Sequence, residues 1–306
     1  MKNRLTEELL SYNTENGTHG LSVLTDEPMS SHTTFKIGGP ADYFITPKTE
    51  ESLVFVLSKL KESGVRYFIV GKGSNVLFSD DGFTGAVVST SAIDSVKVDG
   101  DVITAGCGAS LTSVARTAAR YSLSGLEFAF GIPGSVGGAV YMNAGAYGGE
   151  MSFVVSVTRS IDPVSGEIKT YKKEDHKFGY RESVFRRIDD VVLSTELRLS
   201  SGDRRSIENM MTDYLERRQQ KQPLEYPSAG SVFKRCEGRF TGQMIEEAGL
   251  KGLTVGGARV SEKHAGFIIN IGGATANDVL TLIEMIKETV YTRFGCSLEC
   301  ELIYVR

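Results

Sequence analysis

From Gly131 to Gly148 the chain reads Gly-Ile-Pro-Gly-Ser-Val-Gly-Gly-Ala-Val-Tyr-Met-Asn-Ala-Gly-Ala-Tyr-Gly, and no other stretch restricts the fold as much. Each glycine forgoes side-chain packing and costs chain entropy on folding. A run of glycines and small residues broken by one proline predicts neither an ordinary helix nor an ordinary strand. It predicts backbone lying against something flat or charged, which here reads as a bound cofactor. A second glycine loop, Gly71-Lys72-Gly73-Ser74-Asn75-Val76, follows the apolar run Tyr67–Val70 and so sits at the end of an expected strand. Its closely spaced N–H groups, with the Ser74 hydroxyl and Asn75 amide, form a nest suited to a pyrophosphate. It is a poor dinucleotide fingerprint of the Rossmann kind, because Val76 stands where the third glycine belongs and no acid follows at 88–90. Two such loops in one domain favour a large cofactor carrying a diphosphate.

The 306 residues suffice for two or three domains. A net charge of −4 gives no basic surface for nucleic acid. No apolar stretch reaches membrane-spanning length, and the first residues lack the apolar core of a signal peptide, so a cytoplasmic location is expected. Cys107, Cys236, Cys296 and Cys300 include no Cys-x-x-Cys pair. They read as reduced thiols, with no metal site and no disulfide framework.

Apolar periodicity predicts a helix after Thr49 burying Leu53, Val56, Leu57 and Leu60 and ended by Gly64. A hairpin over 95–105 turns at Asp99-Gly100, and Ser110 is expected to cap a helix burying Leu111, Val114, Ala115 and Ala118. Strands follow at 154–161, 167–171 and 191–199. Residues 1–31 read as a polar extension with a short helix and loop, and Ser201-Gly202-Asp203 as a linker. Beyond it come helices over 206–220, 241–248 and from Thr275 to Gly295, strands at 258–260 and 267–271, and a terminal strand over 297–305.

Three clusters outside the glycine loops carry possible chemistry. Phe178-Gly179-Tyr180-Arg181-Glu182 puts a guanidinium beside a small residue and an aromatic, which suits a planar anion, although a surface ion pair explains it as well. Lys221 closes a cation-bearing helix end that leads into Ser228-Ala229-Gly230-Ser231-Val232-Phe233-Lys234-Arg235, a serine followed by two more cations. Such a group suits a diphosphate-bearing substrate. On a terminal strand Glu299 and Glu301 share one face, either exposed or aimed into a site.

Taken in order, Thr34–Gly39, Gly71–Asn75, Gly131–Gly138, Tyr180–Ser183, Ala229–Lys234, Lys263–Phe267 and the terminal Glu-x-Glu resemble the UDP-N-acetylenolpyruvoylglucosamine reductase family, in its shorter type without an extra substrate-covering insertion. The resemblance implies an α+β protein: a two-lobed FAD-binding domain of the vanillyl-alcohol-oxidase (PCMH) type, then a C-terminal α/β substrate-binding domain. The expected division is an extension over 1–31, an FAD domain over 32–202 with lobes of about 32–92 and 93–202, and a substrate domain over 203–306. It implies NADPH-dependent reduction of a UDP-sugar enolpyruvyl ether in peptidoglycan precursor synthesis, with noncovalent FAD and no obligate protein partner. By motif, Arg181 lies near the enolpyruvyl carboxylate, Ser231 donates a proton and Glu301 assists Arg181, while Tyr180, Lys221, Lys234 and Arg235 handle the substrate. Cofactor contacts are expected from Gly71, Lys72, Gly73, Ser74, Asn75, Val76, Gly131, Ile132, Pro133, Gly134, Ser135, Gly137, Gly138, Asn143, Ala144 and Gly145. The family's common Glu-Pro-Glu-Val-Arg end reads Glu299-Cys300-Glu301-Leu302-Ile303 here, so a basic residue is missing at Ile303 and the choice between Glu299 and Glu301 stays open. An FAD-dependent sugar or alcohol oxidase and a non-catalytic flavin or nucleotide-sugar module are the competing readings.

Overall fold

In a computed structural model, which describes residues 2–16, 20–236 and 238–306, the chain packs as two units, each built from several pieces of sequence. The first takes residues up to Thr25, Tyr43–Lys72 and Gly85–Glu216; the second takes Asp26–Asp42, Gly73–Thr84 and Arg217–Arg306. Phe35, Ile37 and Leu77 are nearly or wholly buried in the same apolar cluster as Val232, Ile245, Ile268, Leu282 and Ile286. Their burial draws two early segments into the carboxyl-terminal unit. Each fully buried apolar side chain of this size stabilises the fold by about 1.5–3 kcal/mol.

The first unit holds a five-stranded antiparallel sheet in the order Ile168–Lys172, Val155–Ile161, Val191–Arg198, Val102–Gly106, Val96–Asp99. A second sheet contains Leu21–Pro28, Pro40–Pro47, Phe83–Ser89 and Tyr67–Val70, the last two parallel. The amino-terminal segment is more ordered than its polar texture predicts, with a helix over Lys2–Asn16 and the strand Leu21–Pro28. Leu5 and Leu9 anchor that helix in the core. The helix Glu50–Ser63 begins at Thr49, whose side chain accepts from Ser52 N–H in a reciprocal cap, and ends at left-handed Gly64. Ser110 precedes Leu111–Arg120 as expected but makes no side-chain cap.

The glycine run departs from expectation. Val136–Met142 is an α-helix, capped by the Ser135 hydroxyl on Gly138 N–H and closed by Asn143 in the left-handed region. It forms because its first N–H groups find fixed acceptors: Val136 donates to Ala109 O at 2.9 Å and Gly137 to Cys107 O at 2.8 Å. A Cβ on Gly137 would lie 3.0 Å from Cys107 Cβ. Glycine here lets a helix press onto a neighbouring strand end.

The second unit carries the antiparallel sheet Ser228–Ser231, Phe267–Asn270, Ala258–Val260, Thr254–Val255. The helix Ala276–Phe294 starts at Thr275 in a reciprocal cap with Asp278 and stops at left-handed Gly295. Asp80 reinforces that start, accepting from Ala276 N–H at 2.7 Å and Asn277 N–H at 3.0 Å. The terminal strand is only Ile303–Val305, parallel to Val76–Phe78, so 297–302 is not strand as expected. Cys236 and Cys296, 60 residues apart, form a disulfide, which corrects the reading of four reduced thiols; only tertiary proximity defines that pair. Cys107 and Cys300 are free.

One buried and one half-buried histidine make stability sensitive to acid. His176 is fully buried, with Nδ1 on Lys172 O at 2.8 Å and Nε2 on Thr158 Oγ1 at 2.8 Å. His264 Nδ1 accepts from Gly266 N–H at 3.1 Å. Burial pushes both imidazoles below the ordinary histidine range. The unfolded chain then binds more protons once pH drops below about 6.5, so stability present above that pH is lost as it falls toward the folded-state values. Calorimetry from pH 7.5 down to 5.5 should show a falling Tm, with a shallower slope in His176→Gln; equal slopes would remove His176 from the account.

Candidate active site

In the first unit Gly71, which opens the first glycine loop, meets the second glycine loop. A Cβ on Gly71 would lie 2.1 Å from Ser135 Oγ, so this glycine is required by the approach of one loop to the other. Gly73 sits at φ +62°, and its Cβ position lies 2.2 Å from His32 O. Protein atoms thus account for the glycines at 71, 73 and 137. The backbone donors of the first loop are a separate matter. Among the described residues the N–H groups of Lys72, Gly73 and Ser74 find no protein acceptor. Three successive unclaimed donors around a left-handed residue make an anion nest. In the second loop, Val136 and Gly137 have used their N–H groups within the protein, while Pro133 is exposed and Gly131, Ile132 and Gly134 are half-buried. Val76 is a buried strand residue paired with Ile303.

Arg181 lies in the tight turn Gly179–Glu182, whose ends bridge each other. Its φ of +55° is unusual for a side-chain-bearing residue and costs of order 1–3 kcal/mol unless the surroundings hold it. They do. Arg181 Nη2 donates to Gly145 O at 3.3 Å, Arg186 Nη1 donates to Arg181 O at 2.8 Å, and Ser183 Oγ donates to Tyr141 O at 2.8 Å. The guanidinium lies 5.2 Å from the ring centre of Tyr180, itself exposed. Below the turn, Phe178 stacks on His176 with ring centres 4.9 Å apart. Cys107 is buried, and burial pushes its thiol up to about 12.

In the second unit the structure brings Ser231, Lys234, Glu299 and Glu301 onto two adjoining segments. Glu301 N–H donates to Val232 O at 2.8 Å, Lys234 N–H to Glu299 O at 2.9 Å, and Phe233 bridges Cys300. Among the described residues the half-buried Ser231 hydroxyl has no hydrogen-bond partner. Glu299 and Glu301 differ in setting. The Glu299 side chain is 71% exposed and paired with Lys234, whereas Glu301 is half-buried. Asn75 Nδ2 donates to Glu301 O at 3.0 Å, tying the end of the first glycine loop to this carboxylate-bearing segment. Arg235 lies over exposed Phe240, 5.4 Å from the ring centre. Lys221 is exposed at a helix end.

Sequence reasoning did not single out Arg186 or Glu150. The usable signal was Asn143: asparagine tolerates the left-handed conformation that ends a helix, which marks the point where the glycine helix hands over to the Arg181 turn.

The residues 41–170 match a family model described as FAD binding domain, and 222–305 match one described as UDP-N-acetylenolpyruvoylglucosamine reductase, C-terminal domain. Relatives of the latter name from Clostridium perfringens and Clostridium botulinum are each 48% identical over 92% of this chain and 92% of their own. The chain belongs to the UDP-N-acetylenolpyruvoylglucosamine reductase family. A solved UDP-N-acetylenolpyruvylglucosamine reductase from Thermus caldophilus is 33% identical, with a TM-score of 0.79 over 94% of this chain and 99% of that one. As in the reductase family, an FAD-binding domain is joined to the family's own carboxyl-terminal domain, and the fold is α+β. No helix among the described residues is long and apolar enough to cross a membrane.

Proposed function

We propose that this chain reduces the enolpyruvyl ether of UDP-N-acetylglucosamine to the lactyl ether of UDP-N-acetylmuramate, a step of peptidoglycan precursor synthesis, with FAD bound noncovalently and NADPH as hydride source. The N–H groups of Lys72, Gly73 and Ser74, unclaimed among the described residues, fit the flavin dinucleotide's pyrophosphate, and Ser135 of the second loop lies against Gly71. FAD, when bound there, supplies the hydride that reaches the terminal vinyl carbon. The rest of the chemistry falls to side chains.

As that carbon is reduced, negative charge grows on the neighbouring carbon and its carboxylate. Arg181 offers two parallel donors to that carboxylate, a match a point-charge ammonium does not make. A preorganised guanidinium stabilises developing charge without having to reorient. Ser231 supplies the proton to the adjacent carbon; a carbanion is basic enough to take one from a weakly acidic hydroxyl. Glu301, rather than exposed Glu299, assists, because its segment pairs with the strand end beside Ser231. Tyr180, Lys221, Lys234 and Arg235 bind the sugar and its diphosphate.

The observation that carries the reading is the backbone pairing of 232–234 with 299–301, which brings the Glu301 segment next to Ser231, whose hydroxyl has no partner among the described residues. The test is an anaerobic absorbance series. NADPH should bleach the flavin and the enolpyruvyl UDP-sugar should restore its colour. Recolouring only by oxygen, with peroxide formed from a simple sugar, is the oxidase outcome. A flavin that NADPH cannot bleach is the outcome for a binding module.

A further inference from the structure

Asn143 stands in the glycine-rich run but its side chain turns inward. It is fully buried, at φ 44° and ψ 57°. Its Nδ2 donates to Gly179 O at 2.9 Å and to Glu150 Oε1 at 3.1 Å, and its Oδ1 accepts from Ser152 N–H at 2.9 Å. Both amide protons are thereby committed to protein acceptors, leaving none to donate to a cofactor. One of those acceptors is the carbonyl at the base of the Arg181 turn. Within five residues around it, Tyr141 O and Gly145 O receive the Ser183 hydroxyl and the Arg181 guanidinium. Arg186, which holds the Arg181 carbonyl, also lies 3.8 Å from Met142 Sδ. The end of the glycine helix is thus the platform on which the Arg181 turn is mounted.

We propose that Asn143 is a positioning residue for the reaction: its amide fixes the Gly179 end of the turn, and so the place from which the Arg181 guanidinium meets the substrate carboxylate. The inference rests on the role given to Arg181 above. A buried amide with every proton paired holds its partners tightly, since an unpaired buried acceptor is costly. Gly179 O without that donor leaves the turn to be held by its other ties, and the left-handed Arg181 is free to relax.

The test compares the unaltered holoenzyme with Asn143→Gly, which keeps the left-handed backbone and removes the amide, with Arg181→Lys, and with the double variant. Asn143→Asp, equal in size, serves if the glycine variant does not take up FAD. Rapid-mixing absorbance follows flavin bleaching by NADPH and recolouring by UDP-N-acetylglucosamine enolpyruvate. Misplacing a catalytic group by about 1 Å costs on the order of 10²-fold, so recolouring should slow by that order while bleaching keeps its rate. In the Arg181→Lys background the same change should cost little more, because the group it positions is already gone. A merely structural Asn143 would slow both half-reactions, or its loss would multiply with that of Arg181→Lys; either result overturns the inference. If Arg181→Lys is slow in recolouring while Asn143→Gly is not, the positioning role alone falls. If Arg181→Lys recolours at full rate, the role of Arg181 falls and the inference with it.

Discussion

Ser231→Ala is expected to leave the flavin reducible by NADPH and almost unable to return its electrons to the enolpyruvyl UDP-sugar. The loss should be roughly 10²–10⁴-fold, the usual cost of deleting a general acid, and it should fall on recolouring only. The serine is a favourable place for such a test. Gly230 precedes it at φ +77° with nothing within 4 Å of its Cβ position, and Ser231 pairs with Phe267 after a register shift from Ser228. Removing one hydroxyl oxygen that has no partner among the described residues leaves none of their buried polar groups unpaired, so the fold should be nearly unaffected. Rapid-mixing absorbance under anaerobic conditions separates the two half-reactions. Full recolouring by the substrate would remove Ser231 from the mechanism.

Arg181→Lys should lower the same half-reaction by about 10²–10³-fold, the range for losing one preorganised donor to a developing anion. Charge is conserved in this change, so the deficit would measure geometry. An ammonium cannot present two parallel donors to a carboxylate in the fixed fork of a guanidinium. The loss should appear mainly in kcat rather than KM, because the charge that needs the fork is fully developed only in the transition state. A change confined to KM would make Arg181 a binding group. Ser231→Ala and Arg181→Lys also differ in signature: only the former should change the solvent deuterium isotope effect on recolouring, since only it replaces the proton donor.

Much of the architecture was readable from spacing alone. The caps Thr49 and Thr275, the stops Gly64 and Gly295 and the antiparallel strands around 96–105 and 155–198 all lie where periodicity and turn chemistry place them. These depend on neighbours within a few residues, which local sequence encodes. The glycine run was misread at its centre, because Val136–Met142 is held helical by acceptors from Cys107 and Ala109, about 30 residues earlier in the chain. The terminal strand does not extend over 297–302 for a related reason: those residues form a single isolated bridge, Cys300 with Phe233, flanked by the bonds of Glu299 and Glu301, before the strand Ile303–Val305.

By itself the sequence determined the inventory: two glycine loops, a guanidinium in a turn, a serine among cations, a carboxylate near the end, and the ordered motifs of one reductase family. Those are properties of residue type and short spacing. Tertiary structure alone decided which members of the inventory work together. It committed the Asn143 amide to the Arg181 turn and the Asn75 amide to the Glu301 carbonyl, exposed Glu299 while half-burying Glu301, and joined Cys236 to Cys296. Each of these is a contact across tens or hundreds of residues, and such contacts are set by how buried surfaces close on one another, which no local pattern carries.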